Sequence, residues 1–285
     1  MQFPITKMSI TECSPLLSEI PDPPQEVYVK GNLPPRGTKC LAVVGSRNYT
    51  NYGKQVVDYL ISGLRGYPVS IISGLALGID ALAHTAALNA GLYTLAVPGS
   101  GIDDSVLYPS RNRSLAQKIL DHGGGLLSEY EPTFHATQWS FPQRNRIMAG
   151  LSHATLVIEA GEKSGTLITA RLTVDYNREL LVVPGNIFSE GSKGTHQFLK
   201  LGATPVTTPE DILVALNIES NTQTESSSTR FDSDEQALLN LLTEPRDHDT
   251  LIRLLPHASE KTIMLLMRME LEGHIREQNG VFYRV

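Results

Sequence analysis

An open, mostly parallel β-sheet covered by helices on both faces is the fold this sequence predicts, and three observations predict it. Short apolar runs alternate with amphipathic helical patterns from residue 36 to residue 218. The runs are apolar at successive positions rather than every second one, as strands buried on both faces require. Nearly every run stops at a small or polar loop: Gly45-Ser46-Arg47, Ser73-Gly74, Pro98-Gly99-Ser100-Gly101, Ser128-Glu129-Tyr130, Glu159 to Thr166, and Pro184-Gly185-Asn186. In such sheets ligands bind beyond the carboxyl ends of the strands, so this recurrence predicts one wide site.

In chain order, residues 1–35 contain Pro21, Pro23, Pro24, Pro34 and Pro35 and read as an extended lead-in packed on the body. Cys40 to Val44 is the first strand, followed by a helix from about Tyr52 to Leu64. Val69 to Ile72 leads through Gly78-Ile79-Asp80 into a helix ending near Ala90. Tyr93 to Val97, Leu126 to Ser128, Thr155 to Glu159, Leu180 to Val183 and Ala203 to Val206 complete the strands. Ile147 to Leu151 and Leu167 to Asn177 are helix-compatible. Residues 219–230, ESNTQTESSSTR, have the composition of a flexible linker. Residues 231–285 resume with three amphipathic helical patterns: Asp232 to Leu242, Asp247 to Leu254, and one capped by Ser259 and running to Leu271. A hairpin around Asn279-Gly280 closes the chain. Three helices and a hairpin resemble a winged helix.

Composition limits the function classes. Two cysteines, Cys13 and Cys40, with no metal-like spacing argue against a disulfide framework. No cationic leader precedes a long apolar run, and no segment approaches the roughly 18 apolar residues of a membrane span, so a cytoplasmic location is expected. The net charge of −6 is unevenly placed. Residues 36–205 carry 15 basic and 12 acidic side chains, a balance of +3, whereas residues 206–285 carry seven and 14, a balance of −7. A mildly basic body is compatible with a local cationic groove and equally with an ordinary solvated surface.

The most informative stretch is Phe141 to Ala170, FPQRNRIMAGLSHATLVIEAGEKSGTLITA. Arg144 and Arg146 flank Asn145 ahead of a strand, and the strand ends in Lys163-Ser164-Gly165-Thr166 before a helix. A Gly-bearing loop at a helix amino end offers N–H groups and the positive end of the helix dipole to an anion. Cations upstream and this loop downstream suggest a phosphate-bearing polymer. The G-x-G-x-x-G fingerprint, the P-loop, the G-x-S-x-G elbow and the H-E-x-x-H helix are all absent. His84, His135 and His153 are scattered and read as surface or loop histidines. Asp80 suits a helix amino terminus. Glu129 and Glu159 end strands, where ordering loops by hydrogen bonds and catalysis both remain open. Arg146 reads either as a phosphate contact or as the partner of one of those carboxylates. Tyr49, Tyr108, Phe134, Trp139 and Phe141 lie near the basic loops; Trp139 and Phe141 suit core or lid positions as well as base-stacking platforms.

Six motifs in order resemble the DNA-processing protein A (DprA/Smf) family: VVGSR at 43–47, SGLALGID at 73–80, VPGSGIDDSVLYPSRNRSL at 97–115, FPQRNRIMAGLS at 141–152, IEAGEKSGTLITA at 158–170 and VPGN at 183–186. The resemblance covers roughly residues 20–210. It implies a Rossmann-like body without enzymatic activity or cofactor, binding single-stranded DNA above the sheet, protecting incoming strands and loading the RecA recombinase during natural transformation, as a homodimer. Carried over by position, it implicates Gly45, Ser46 and Arg47, then Ser73 and Gly74, Arg111 and Arg113, Arg144, Asn145 and Arg146, and Lys163, Ser164, Gly165 and Thr166. Many members carry a helical domain ahead of this region; fewer than 20 residues precede it here, so that domain is expected to be missing or vestigial. In the tail, only Lys261 and Arg268 lie on the helix that would read duplex DNA, which favours protein contact or weak accessory DNA contact. The competing class is a nucleotide-processing enzyme related to phosphoribohydrolases. Those carry a glutamate after the loop threonine, whereas Ala170 follows four residues after Thr166 here. A purely structural adaptor leaves the strand-end loops unexplained.

Overall fold

The computed structural model describes residues 3–219, 232–242, 245–255, 259–271, 273–278 and 280–284. The chain divides into two compact units, residues 1–220 and 221–285. In the first, the elements are β1 (Ile5–Ser9), α1 (Ile10–Cys13), α2 (Pro15–Ser18), β2 (Glu26–Gly31), β3 (Lys39–Val44), α3 (Asn51–Ser62), β4 (Val69–Ser73), α4 (Ile79–Asn89), β5 (Tyr93–Ala96), α5 (Arg113–Asp121), β6 (Gly125–Ser128), α6 (Ser140–Leu151), β7 (Ala154–Val157), α7 (Thr166–Asp175), β8 (Glu179–Val182), α8 (Lys193–Lys200), β9 (Thr204–Pro205) and α9 (Pro209–Ala215).

The nine strands form one sheet in the order β1-β2-β6-β5-β4-β3-β7-β8-β9. From β6 to β9 all neighbours are parallel. Connections run from β3 leftward through β4, β5 and β6, then return to β7 on the opposite side of β3. The junction of β3 and β7 is therefore the topological switch point, where two loops leave in opposite directions and open a crevice. Leu41 pairs with Ile71 of β4 and with Ala154 of β7, so β3 lies at the centre.

Each central strand feeds two cores. Leu41, Val43, Ile71, Leu156 and Leu181 pack on one face with α3, α4 and α9. Cys40, Val44, Ile72, Val157, Leu180 and Val182 pack on the other with α2, α6, α7 and α8. Alternate residues burying on opposite faces explain why these strands read as unbroken apolar runs.

The amino-terminal segment differs from the extended lead-in expected for residues 1–35. β1 pairs antiparallel with β2, Thr6 opposite Val29, and β2 pairs antiparallel with β6, Val29 opposite Leu127. Leu17, Ile20, Val27 and Val29 enter the main core. The five prolines flank β2 rather than interrupt it, which is where a strand tolerates them.

The second unit contains α10 (Ser233–Leu241), β10 (Arg246–Asp247), α11 (His248–Leu254), α12 (Ser259–Leu271), β11 (Ile275–Gln278) and β12 (Val281–Arg284). Its sheet runs β10-β12-β11, all antiparallel. Leu238, Leu251, Leu266, Met269, Ile275 and Phe282 make its own core. This is the winged-helix arrangement. Most of the expected 219–230 linker, and Asn279 of the expected turn, lie outside the described residues.

Candidate nucleic-acid interface

The carboxyl ends of β3 and β7 open into a groove of about 810 Å³. Gly45, Ser46 and Arg47 form one bank, Lys163, Ser164, Gly165 and Thr166 the other, and Asp80, Arg144 and Asn145 contribute to its lining. Sequence positions more than a hundred apart meet here because β3 and β7 are neighbours.

The Arg47 bank is fixed by its backbone. Ser46 donates its N–H to the Glu159 carbonyl at 2.8 Å, and its own carbonyl accepts the Ile79 N–H at 3.1 Å. Gly45 is required because a Cβ there would strike the Ile79 side chain. Thr50 caps α3 by accepting from the Gly53 N–H at 3.1 Å. The buried Glu159 carboxylate accepts the Thr50 N–H at 2.9 Å and the Thr50 hydroxyl. Glu159, on β7's end, therefore clasps the loop that follows β3. Arg47 itself is exposed, with its guanidinium 5.5 Å from the Phe141 ring centroid. Among the described residues it makes no ion pair or hydrogen bond to protein.

On the opposite bank, Thr166 donates its hydroxyl to the Gly45 carbonyl at 3.1 Å, tying the two loops together. The Thr166 N–H donates to Ser164 Oγ, and the Leu167 and Ile168 N–H groups donate to the Ser164 and Gly165 carbonyls. The first-turn amides of α7 are thus less free than the sequence suggested. Lys163 remains exposed and without an ion pair among the described residues, beside the positive end of the α7 dipole.

Beneath the groove, Arg144 is buried. Its Nη1 donates to the Gly74 carbonyl at 2.6 Å and to the Val97 carbonyl, and Nε donates to Asn145 Oδ1 at 3.3 Å. Burial lowers the guanidinium to about 10, with Asp80 opposing, so it stays charged at neutral pH. Burial raises the Asp80 carboxyl, opposed by Arg144 and by hydrogen bonds from the Gly74 and Ala76 N–H groups. Arg144 thus holds the ends of β4 and β5 together and lends the groove floor positive potential rather than a free fork.

The remaining sequence candidates separate. Arg146 is directed away from the groove and buried: it pairs with the Glu129 carboxylate and donates to the Asp22 carbonyl at 2.8 Å. Of its two sequence readings, the carboxylate partner is the one the structure gives. Arg113 donates to the Ser105 and Leu107 carbonyls and organises the β5–α5 loop. Arg111 is exposed but does not line the groove. Ser73 is buried, donating to the Val43 carbonyl at 2.7 Å. Gly74 lines a small adjoining cleft with Ala76, Leu77, Tyr108 and Phe141. Asn48, Gln138 and Met148 line the groove without having been singled out in the sequence; Met148 lies within the 141–152 motif, and the signal for Asn48 and Gln138 was nearness to the motifs. His84 is fully buried with Nδ1 2.7 Å from Thr94 Oγ1, not on the surface as expected. No cluster of three or more metal-ligating side chains occurs among the described residues, and none of their helices is long and apolar enough to cross a membrane.

A doubly wound sheet with a groove at its switch point, lined by Arg47, Arg144 and Lys163 together with Asp80, places this chain among the α/β proteins whose ligand sites lie beyond the carboxyl ends of the strands. Comparison with known proteins makes this more specific. Residues 5–217 match the family described as DNA recombination-mediator protein A, and the chain belongs to that family. It is similar to Protein Smf of Escherichia coli, 35% identical over 280 residues that span 95% of this chain and 74% of that protein. The X-ray structure of DNA processing protein A from Streptococcus pneumoniae superposes with a TM-score of 0.69 at 38% identity, covering 77% of this chain and 76% of that one. DNA processing protein A from Helicobacter pylori, whose structure was determined for its single-stranded DNA binding mode, gives 0.66 at 29% identity over 76% and 97%.

Proposed function

We infer that this protein binds single-stranded DNA in the groove between the β3 and β7 loops and acts as a non-enzymatic recombination mediator. The observation that carries this reading is the division of labour among cations. Arg47 and Lys163 face each other across the groove with no ion pair among the described residues, while Arg113, Arg144 and Arg146 are engaged in the fold. Phosphates lie against Gly45 to Arg47 and Lys163 to Thr166, over a floor made positive by Arg144; Asn145 adds a side-chain amide, and Arg111 receives the strand beyond the groove. The carboxylates favour binding over catalysis: Asp80 and Glu159 are buried and accept from backbone N–H groups, and Glu129 is paired with Arg146 outside the groove. Family membership supports the further steps, which are protection of incoming strands and loading of RecA during natural transformation. Exposed apolar side chains at Val174 and Leu201, beside a shared cleft, support a homodimer.

The test is a titration of labelled single- and double-stranded oligonucleotides of equal length, with nucleoside monophosphate hydrolysis assayed on the same preparation. Single strands should bind more tightly, with affinity falling steeply as salt rises and no nucleotide turned over. Salt-independent binding, or a turnover abolished by Glu159→Gln, would overturn the reading.

A further inference from the structure

Phosphate contacts do not distinguish a single strand from a duplex, so the groove described above lacks a discriminating element. Five aromatic rings gather next to it. Tyr130 and Phe134 stack at 4.5 Å between centroids, both half-buried. Trp139 stands edge-on to Tyr130 at 5.8 Å and tilted to Phe134 at 5.7 Å. Phe141 lies 5.6 Å from Tyr108, and Arg47 covers its ring. Trp139 is nevertheless 55% exposed and Tyr108 48% exposed. A side chain in its position for core packing would be turned inward; this indole is braced by two rings beneath it and left facing solvent.

The shelf is continuous with the groove. Gln138 and Phe141 form part of the groove wall, and Trp139 stands between them in the chain, at the amino end of α6. Tyr108 lines both the groove and the adjoining cleft. A strand whose phosphates lie on Arg47 and Lys163 therefore has apolar faces within reach on the β5–β6 side. The bases of a duplex are already stacked and paired, with their faces covered, whereas those of a single strand are free to lie on a ring.

We propose that Trp139 and Tyr108 form a base-stacking platform that gives the groove its preference for single strands. This rests on the single-strand reading above. The platform takes unpaired bases of any identity, because each has a π-face, so it confers strand selectivity without sequence selectivity.

A double comparison tests it, pairing removal of the ring with removal of the bases. The probes are a labelled mixed-sequence oligonucleotide and one of equal length built from abasic residues, which keeps the phosphates. Wild type should bind the base-bearing probe about tenfold or more tighter, the scale of one to two lost stacking contacts. Trp139→Ala and Tyr108→Ala should each lose affinity for the base-bearing probe and leave the abasic probe nearly unchanged. Trp139→Phe should recover most of the loss. Because Trp139 is the only tryptophan, its fluorescence in the unmutated protein should be quenched by the base-bearing strand and not by the abasic one. Equal affinity of wild type for the two probes, or equal loss on both in Trp139→Ala, would overturn the platform alone. If neither probe binds in a salt-dependent way, the groove reading falls with it.

Discussion

Removing Arg47 isolates the groove's chemistry from its architecture. Among the described residues the guanidinium lies over the Phe141 ring and makes no ion pair or hydrogen bond, and its loop is held by backbone bonds at Ser46 that do not involve the side chain. An exposed cation–π contact contributes about 0.5–1 kcal/mol, which in a unit of this size corresponds to a melting shift of no more than roughly 4 °C. A charge-assisted phosphate contact contributes about 1.5–3 kcal/mol, or roughly ten- to hundredfold in affinity. Arg47→Ala should therefore weaken single-strand binding at least about tenfold in fluorescence anisotropy while the protein melts nearly as before. The log–log salt slope should shrink by about 0.7 for the one phosphate no longer neutralised. Arg47→Lys should recover only part of the loss, since a point charge cannot lie flat on a ring or present a planar fork. Unchanged affinity, or lost stability with unchanged binding per folded molecule, would refute the reasoning.

Three further perturbations separate structure from function. Arg146→Ala should destabilise the body by about 3–5 kcal/mol in chemical denaturation, because Glu129 would be left buried without its partner, whereas Arg146→Met combined with Glu129→Leu should be close to neutral. Binding per folded molecule should be retained in that double variant. Burial depresses the His84 imidazole from its ordinary 6.5 to about 3, so it stays neutral in the fold while the unfolded chain gains a proton; its contribution is fully present above pH 6.5 and is lost as pH falls toward 3, by about 1.4 kcal/mol per pH unit. His84→Gln should flatten that part of the stability–pH curve, and an unchanged slope would count against the assignment. Deleting residues 219–285 should leave single-strand affinity largely intact, because every groove residue precedes the deletion and the body has its own core; loss of most affinity would move the site to the tail.

The parallel sheet was legible because each strand is buried on both faces and so prints an unbroken apolar run, as Leu41 to Val44 does. The antiparallel β1 and β2 were obscured by the prolines around them, although Val27-Tyr28-Val29 carried a strand signal. The start of α6 was missed for a related reason: Pro142 suggests a break, yet a proline in a helix's first turn removes no intrahelical bond. In the site, the loops at Arg47 and Lys163 could be found from the sequence, since position after a strand is a local property. Whether a cation is free depends on distant partners. Arg144 reaches the Gly74 carbonyl 70 residues away, and Arg146 reaches Asp22 at 124. No spacing rule within FPQRNR reveals either.

The Glu159 clasp has a consequence for how this groove can diverge. A side chain at Gly53 would collide with the Glu159 carboxylate, so Gly53, in a different βα unit, is held to glycine for as long as the clasp stands. A replacement at Gly53 survives only if the carboxylate moves aside and gives up its bonds to Thr50. Arg47, Lys163 and Trp139 carry no such obligation, since each projects from a frame held by other atoms. Ligand preference can therefore drift by single substitutions at the rim while the hinge of the two loops stays locked, and a designer wishing to retune the groove has its adjustable residues already separated from its fixed ones.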